Sequence, residues 1–316
     1  LDARGRWLCQ ISVPVQEWST DIFTPERCVQ WIRDASGVSD LIVQVQSVGK
    51  WQKNALVAEQ FIAGNVILMG DAAHMFPPTG GLGVNTGLQG MHNAIWKLAL
   101  HLRGKAGKNL LDTYTLERRP YARWVADQSF HNTRQVAKMR LISLGKSPDN
   151  MSADDVIRET RRYGNQLGLE LGTLYESRAV CPDGSAPPEV MDPYTDYIPT
   201  GRPGHRAPHV WIRHGHDRLS TLDLFGAEFT VLTGSEGNAW GTSVRQLAQQ
   251  VQLDIGFHCI GGDAWIDEEN TFLQRYGIQE DGAVLVRPDG YVAWRSPLHT
   301  PQAEQHLSDA MKRILS

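Results

Sequence analysis

The sequence predicts an α/β protein in two parts joined by an irregular arm, and three observations predict it. A short apolar run at 65–69 leads through a Gly/Pro-rich loop into a long helix whose apolar residues repeat at steps of three and four. Pro and Gly then crowd the stretch from Leu174 to Pro208, where no period of 3.6 or 2 survives. After it, strands and helices follow in the order β-α-β-α-β-β-α.

Taken in order, residues 11–15 (ISVPV) read as a strand. Thr24-Pro25-Glu26 opens a helix, with Thr as N-cap, Pro at the first helical position and Glu at the positive end of the dipole; Gly37 can close it. LIVQVQ (41–46) is β-branched and partly alternating, so it reads as a strand. NVILM (65–69) is apolar on both faces and suits a buried parallel strand ending at Gly70-Asp71. Val84, Leu88, Met91, Ile95, Leu98 and Leu102 make one apolar stripe on the next helix. A helix from Leu110 to Arg119 follows, and Pro120 is expected to kink it or to start another. Residues 121–144 and 153–170 continue helically. The tail reads as a strand at Phe229–Thr233, a helix at Thr242–Gln250, a strand at Asp254–Ile260 and a short helix at Glu268–Tyr276. A hairpin at Ala283–Arg287 and Tyr291–Arg295 turns around Pro288-Asp289-Gly290, and a helix at Pro301–Leu315 is capped by Thr300. That order is the one of a thioredoxin-like fold. The predicted parts are 1–172, an arm at 173–205, and 206–316.

The 316 residues, 41% hydrophobic and 21% charged, have the balance of a globular chain with material for a core. A formal net charge of -4 gives no basic excess for a nucleic-acid partner or an anionic membrane surface. No apolar run approaches the roughly 20 residues of a membrane helix. Cys9, Cys28, Cys181 and Cys259 are widely spaced, with no C-x-x-C pair or metal spacing, which fits a reducing, cytoplasmic setting. The chain starts at Leu1, in what reads as mid-structure sequence, so an upstream region is expected to be missing from it.

The segment that carries chemistry is GDAAHMFPPTGGLGVNTGLQGMHNAIWKLA (70–99). A strand delivers Asp71 at its C-terminal end, where open α/β sheets bind ligands; its carboxylate can accept hydrogen bonds from sugar-alcohol hydroxyls. The Pro77-to-Gly83 loop is stiff and then permissive. Its glycines let backbone amides approach a flat or anionic group at a helix N-terminus.

GDAAHxxPPTGGxGxN, followed by NxxWKLA and ERRP, resembles the second FAD fingerprint of the group A flavoprotein monooxygenases, the relatives of para-hydroxybenzoate hydroxylase and of the phenol and polyketide hydroxylases. STLDLFGAEFTVLTG (220–234) and GAVLVRPDGYVAWRS (282–296) resemble the thioredoxin-like C-terminal domain of that subgroup. The resemblance implies the C-terminal part of a para-hydroxybenzoate hydroxylase-like FAD/substrate domain followed by a thioredoxin-like domain. It implies that Asp71 binds the ribityl chain and that Pro78 lies beside the isoalloxazine ring. It also implies that the amides of Gly81, Leu82, Gly83, Val84 and Asn85 face the flavin N1–C2=O edge. The implied reaction inserts one oxygen atom of O2 into a phenolic or polycyclic aromatic substrate through a flavin C4a-hydroperoxide, with NADPH or NADH as reductant. Where the family reads D-A-x-N-L, this chain has Gln89-Gly90-Met91-His92-Asn93, a departure that puts a glycine inside the helix.

Several residues invite other readings. His74 follows a strand end, where a hydrogen-bonded structural histidine is the commoner case. His205, His209, His214 and His216 lack a supporting Cys or carboxylate pattern and read as solvated or structural, not as a metal site. Arg118-Arg119 after Glu117 reads as helix-surface pairing. TGSEGNAW (233–240) occupies the place where a redox thioredoxin carries its cysteines and has none, so the tail is expected to be structural, serving dimerisation or covering the site. The ADP-binding GxGxxG after a strand is absent, so the chain is expected to need a missing N-terminal FAD-binding region as partner. A related flavin oxidase, epoxidase or halogenase, and a non-catalytic assembly module that could pair as a homodimer, remain alternatives. No catalytic acid or base is identified.

Overall fold

The computed structural model describes residues 5–11, 22–49, 51–143, 145 and 152–316. The chain divides into two compact units, 1–52 and 53–316. In the first, helix α1 (Pro25–Ser36) has the expected caps. Thr24 Oγ1 accepts from the Arg27 amide at 3.3 Å, and Gly37 closes the helix at φ 71°. Residues 41–46 form no strand; Ile42 is almost fully exposed. Their β-propensity finds no ladder partner among the described residues, and a lone strand is not stable. The predicted strand at 11–15 lies, beyond Ile11, outside the described residues.

The second unit begins with β1 (Leu56–Val57), β2 (Ile62–Ala63), β3 (Val66–Ile67) and β4 (His74–Met75). The run at 65–69 is not a parallel strand. Val66 and Ile67 pair antiparallel with Ala63 and Ile62. Gly64-Asn65 is a two-residue hairpin loop, and Gly64 takes the φ of 60° that such a turn demands at its first position. β4 pairs antiparallel with β1.

Helices α2 (Leu82–Leu102) and α3 (Lys108–Ser143) pack on each other. Pro120 lies inside α3 and starts no second helix. The carbonyl it leaves without an amide belongs to Leu116, an exposed residue that water can serve, while Arg118, Tyr121 and Ala122 anchor both flanks in the core. The helical stretch predicted at 153–170 is three short helices, α4 (Ala153–Glu159), α5 (Arg161–Gly164) and α6 (Leu167–Leu171).

The C-terminal elements are β5 (Trp211–His214), β6 (Asp217–Ser220), β7 (Phe229–Thr233), α7 (Trp240–Val251), β8 (Ile255–Cys259), β9 (Ile266–Asp267), α8 (Phe272–Tyr276), β10 (Ala283–Val286), β11 (Val292–Ser296) and α9 (Pro301–Leu315). Their main sheet has the order β11-β10-β7-β8, with β7 and β8 parallel and the other pairs antiparallel. This is the thioredoxin-like arrangement. β5, β6 and β9 add a small second sheet. Strand alternation assigns the two faces: Phe229, Val231 and Leu285 pack with α7 and α9, and Leu232, Val284 and Val286 pack with Phe272 and Tyr276 of α8. The first of these cores also takes in Trp96 and Leu100 of α2 and Leu110 of α3, so it is continuous with the helical part. Thr300 Oγ1 accepts from the Ala303 amide at 3.0 Å and caps α9. No described helix is long and apolar enough to cross a membrane.

Candidate functional site

The site forms where the Gly70–Ala72 3-10 turn meets the start of α2. Gly70 takes φ 54°, and the Ala73 amide donates to its carbonyl at 2.9 Å. Gly87 of α2 carries no Cβ, and one built there would lie 3.4 Å from the Gly70 Cα. Backbone therefore rests on backbone, and Asp71 is carried beside the first turns of α2. Its side chain is exposed and makes no hydrogen bond or ion pair with the described residues.

The loop from Pro77 to Gly81 is held from behind by α3. Ser129 Oγ donates to the Pro77 carbonyl at 2.7 Å. Thr79 Oγ1 donates to the Ser129 carbonyl at 2.8 Å and lies 2.7 Å from Thr133 Oγ1. Asn132 Nδ2 reaches the Thr79 carbonyl at 3.4 Å. Gly80 sits at φ 106°, and a Cβ there would meet Asn132 Nδ2 at 3.0 Å, so both conformation and space demand glycine. Ser129, Thr133 and Asn132 did not stand out in the sequence. The signal that could have found them is a polar set on a helix face that the core otherwise buries.

Gly81 is the N-cap of α2 at φ 67°. Its amide is not free, since it donates to the Pro78 carbonyl at 3.2 Å. Leu82, Gly83 and Val84 form the first turn, where amides have no intrahelical partner. Asn85 begins the helical ladder through its own amide, and its Nδ2 donates to the Gly81 carbonyl at 3.1 Å. A Cβ on Gly81 or Gly83 would meet nothing within 4 Å, so this side of the helix start is open. Pro78 is exposed at its edge. Free donors, a helix dipole, no side-chain obstruction and an unpaired carboxylate fit a flat group with one electron-rich edge and a polyhydroxyl chain, which is the chemistry of a flavin.

Behind the site the face of α2 is not wholly apolar. The apolar stripe read from the sequence is turned outward except at half-buried Leu98, from Met91 at 44% exposed to Leu102 at 75%, with Val84, Leu88 and Ile95 between them. The buried residues are mixed: Leu82, Trp96 and Leu100 are apolar, and Thr86, Gly87, Gly90, Asn93, Ala94 and Lys97 lie between them. Asn93 and Lys97 join a fully buried charge network with the β10–β11 turn. Glu117 accepts from Lys97 Nζ (2.7 Å), Asn93 Nδ2 (2.6 Å), Ser177 Oγ (2.6 Å) and both terminal nitrogens of Arg287 (2.7 and 2.8 Å). Asp289 pairs with Arg287 and accepts from Asn93 at 3.0 Å. Burial alone would raise the Glu117 carboxyl, but Arg287 and Lys97 outweigh it and hold it well below the usual range. Burial lowers Lys97 to about 8 against the pull of Glu117, so the pair is ionised at neutral pH.

Arg118 and Arg119 are not a surface pair. Arg118 is buried, and Arg119 Nε donates to the Ala58 carbonyl at 3.2 Å. His74 is buried and stacks on Phe76 at 4.7 Å; burial first, then the charge of Arg118, lowers its pKa. His209 Nδ1 lies 2.6 Å from Ser220 Oγ, and His214 stacks on Trp265 at 4.3 Å. No group of side chains suited to a metal occurs among the described residues. The loop after β7 carries no cysteine, and Cys259 at the end of β8 has Asn238 Oδ1 at 3.5 Å.

Comparison with known proteins agrees with this geometry. Residues 2–129 match the family described as FAD binding domain, and residues 200–316 match the family described as aromatic-ring hydroxylase, C-terminal. Tetracenomycin A2 monooxygenase-dioxygenase of Streptomyces glaucescens is 38% identical over 314 residues, covering 98% of this chain and 52% of the relative. 4-Methyl-5-nitrocatechol 5-monooxygenase of Burkholderia sp is 38% identical, covering 93% of this chain and 51% of the relative. The crystal structure of the flavin-dependent monooxygenase PieE in complex with FAD and substrate matches with a TM-score of 0.84 at 33% identity, over 96% of this chain and 56% of that one. The ternary complex of aklavinone-11 hydroxylase with FAD and aklavinone matches at 0.79 and 33%, over 96% and 53%.

Fold, helix start and relatives point to one class, that of the flavin-dependent hydroxylases. The chain belongs to the FAD-dependent aromatic-ring hydroxylases, in the group of the phenol and polyketide hydroxylases. It spans about half the length of the relatives it matches.

Proposed function

We propose that this chain supplies the flavin-facing half of an aromatic-ring monooxygenase that inserts one atom of O2 into a phenolic or polycyclic aromatic substrate. The observation that carries the reading is the open first turn of α2, with Leu82, Gly83 and Val84 amides uncommitted and the Asp71 turn packed on the same helix at Gly87. Bound FAD supplies the oxygen-transfer chemistry, with electrons from NADPH or NADH; the hydroperoxide route implied by the resemblance is part of this proposal. The chain's own residues do the holding. Asp71 accepts from the ribityl hydroxyls, and the amides of Leu82, Gly83 and Val84 face the N1–C2=O edge. Pro78 borders the ring, while Gly81 and Asn85 shape the turn through their bonds to and from backbone. Preorganised amides favour negative charge at that edge without reorganising.

The partner in this reading is a region bearing the GxGxxG fingerprint, which this sequence does not contain. The outward stripe of Val84, Leu88, Met91 and Ile95 on the flavin-bearing helix gives that region an apolar surface to cover. The division into 1–172, an arm at 173–205 and a thioredoxin-like domain at 206–316, in a cytoplasmic protein, belongs to the same proposal. The test uses a polypeptide that contains this chain and the GxGxxG region. Expected are bound FAD, NAD(P)H oxidation stimulated by phenols or polyketides, and ring-hydroxylated product labelled from 18O2. Flavin reduction with no substrate oxygenation across such a panel defeats the hydroxylase reading.

A further inference from the structure

Arg118 is the odd member of the buried charges. Lys97 and Arg287 each face a carboxylate, Glu117 for both and Asp289 for the second. Arg118, equally buried, has only neutral acceptors. Its Nη1 donates to the Tyr175 hydroxyl at 2.8 Å, and its Nη2 to the Thr86 carbonyl at 3.2 Å and the Gln89 Oε1 at 3.4 Å. The guanidinium carbon lies 4.3 Å from the centre of the Tyr121 ring. No carboxylate pairs with it among the described residues. A buried cation without an anion is costly, and apolar side chains of similar volume could fill the same space.

Its placement gives the charge a use. Thr86 lies four residues beyond Leu82, so the guanidinium binds α2 about 6 Å along the axis from the open amides. Its field adds to the positive end of the helix dipole, in a dry region where charges act over longer range than in water. The field reaches the start of β4 as well: the charge of Arg118 acts on His74, three residues from Asp71.

We propose that Arg118 is a positioning residue of electrostatic kind: its permanent, unpaired charge beneath α2 stabilises the negative charge that a bound flavin gains on reduction, acting through the helix start without touching the cofactor. The proposal rests on the flavin placement of the preceding section. It predicts a thermodynamic signature that a merely structural tie does not. Tyr175 supplies the contrast, because removing its hydroxyl takes away a hydrogen bond and leaves the charge.

The experiment compares Arg118→Gln, Arg118→Lys and Tyr175→Phe in the FAD-loaded polypeptide, reading the two-electron midpoint potential by dye equilibration. Arg118→Gln is expected to lower the reduction equilibrium at least tenfold, about 30 mV for a two-electron couple. Tyr175→Phe and Arg118→Lys are expected to stay near the parent. A second readout needs no flavin: in this chain alone, the His74 imidazole titrates at higher pH in Arg118→Gln, as followed by NMR. A folded Arg118→Gln protein that takes up FAD and keeps the parent potential overturns the proposal, as does a Tyr175→Phe shift as large as that of Arg118→Gln. A parent polypeptide that binds no flavin defeats the placement reading, and this proposal with it.

Discussion

Replacing Glu117 by alanine is expected to cost ~3–5 kcal/mol of folding stability, the range for breaking a buried ion pair from one side. The carboxylate accepts from Lys97, from both terminal nitrogens of Arg287, from Asn93 and from Ser177, at 2.6 to 2.8 Å and without solvent contact. Three of these bonds join ions. At ~1.5–3 kcal/mol each they would sum to roughly 5–9 kcal/mol. Alanine also removes the carboxylate's own desolvation cost, so the smaller figure wins. What remains is Lys97 and Arg287 facing Asp289 alone, an excess positive charge in the core. The loss is a large fraction of the ~5–15 kcal/mol a folded domain holds. The assay is urea unfolding followed by tryptophan fluorescence. Its control is Glu117→Gln combined with Lys97→Met, which removes one charge of each sign and leaves Arg287 with Asp289. The double variant is expected to be more stable than Glu117→Ala. A Glu117→Ala loss below ~1 kcal/mol, or a double variant as damaged as the single one, refutes the claim that unbalanced buried charge is the cause.

Gly90→Ala is expected to stabilise the chain by up to ~1 kcal/mol in the same assay, because its new Cβ would find Arg118 Nε and the Tyr114 hydroxyl at an ordinary 3.8 Å while helix propensity improves. Gly80→Ala has the opposite outcome: φ 106° and the 3.0 Å approach to Asn132 force the loop to move, and flavin titration of the complete polypeptide is expected to show at least a tenfold weaker Kd. Stability is expected to fall with acid through His205. Burial first, then Arg202 and Arg295, lowers its pKa to about 4 from 6.5. Above 6.5 the ring is neutral in both states; between 6.5 and 4 the unfolded chain takes a proton that the native one resists, so stability drops over that window. His205→Gln is expected to shrink the difference between urea midpoints at pH 7 and pH 5.

Much of the fold was legible because local chemistry and tertiary structure agree. Thr24 with Gly37, and Thr300 with Pro301, cap helices as their types dictate. Phe229–Thr233 reads as a strand and is one, buried throughout because helices cover each side of the sheet. The failures share a cause. LIVQVQ at 41–46 and NVILM at 65–69 have strand chemistry, but a strand's identity depends on what it pairs with. The first finds no ladder among the described residues, and the second is claimed by the Gly64-Asn65 turn for a local hairpin. Pro120 left two outcomes open in the sequence, and packing on both flanks keeps one helix running through it, so it starts no second one.

The site was half legible for a related reason. Gly70 to Asn85 announces itself because glycines and prolines at fixed spacing are needed where backbone takes a positive φ or meets another backbone, and Gly80 at φ 106° and Gly87 against Gly70 show both uses. What holds that backbone is invisible to such reasoning. Ser129 and Asn132 lie some fifty residues away in sequence, and Arg287 and Asp289 lie in another fold altogether. The hydrophobic stripe was the misleading signal on α2. Periodicity identifies an apolar face but not its partner. Here Trp96 and Leu100 together with the polar Asn93 and Lys97 seat the helix on the thioredoxin-like part, and the stripe from Val84 to Ile95 faces outward. The two faces of α2 therefore have separate surroundings. Asn93 directly, and Lys97 through Glu117, tie α2 to Asp289 and Arg287, so a tail without redox cysteines fixes the helix whose first turn holds Leu82, Gly83 and Val84.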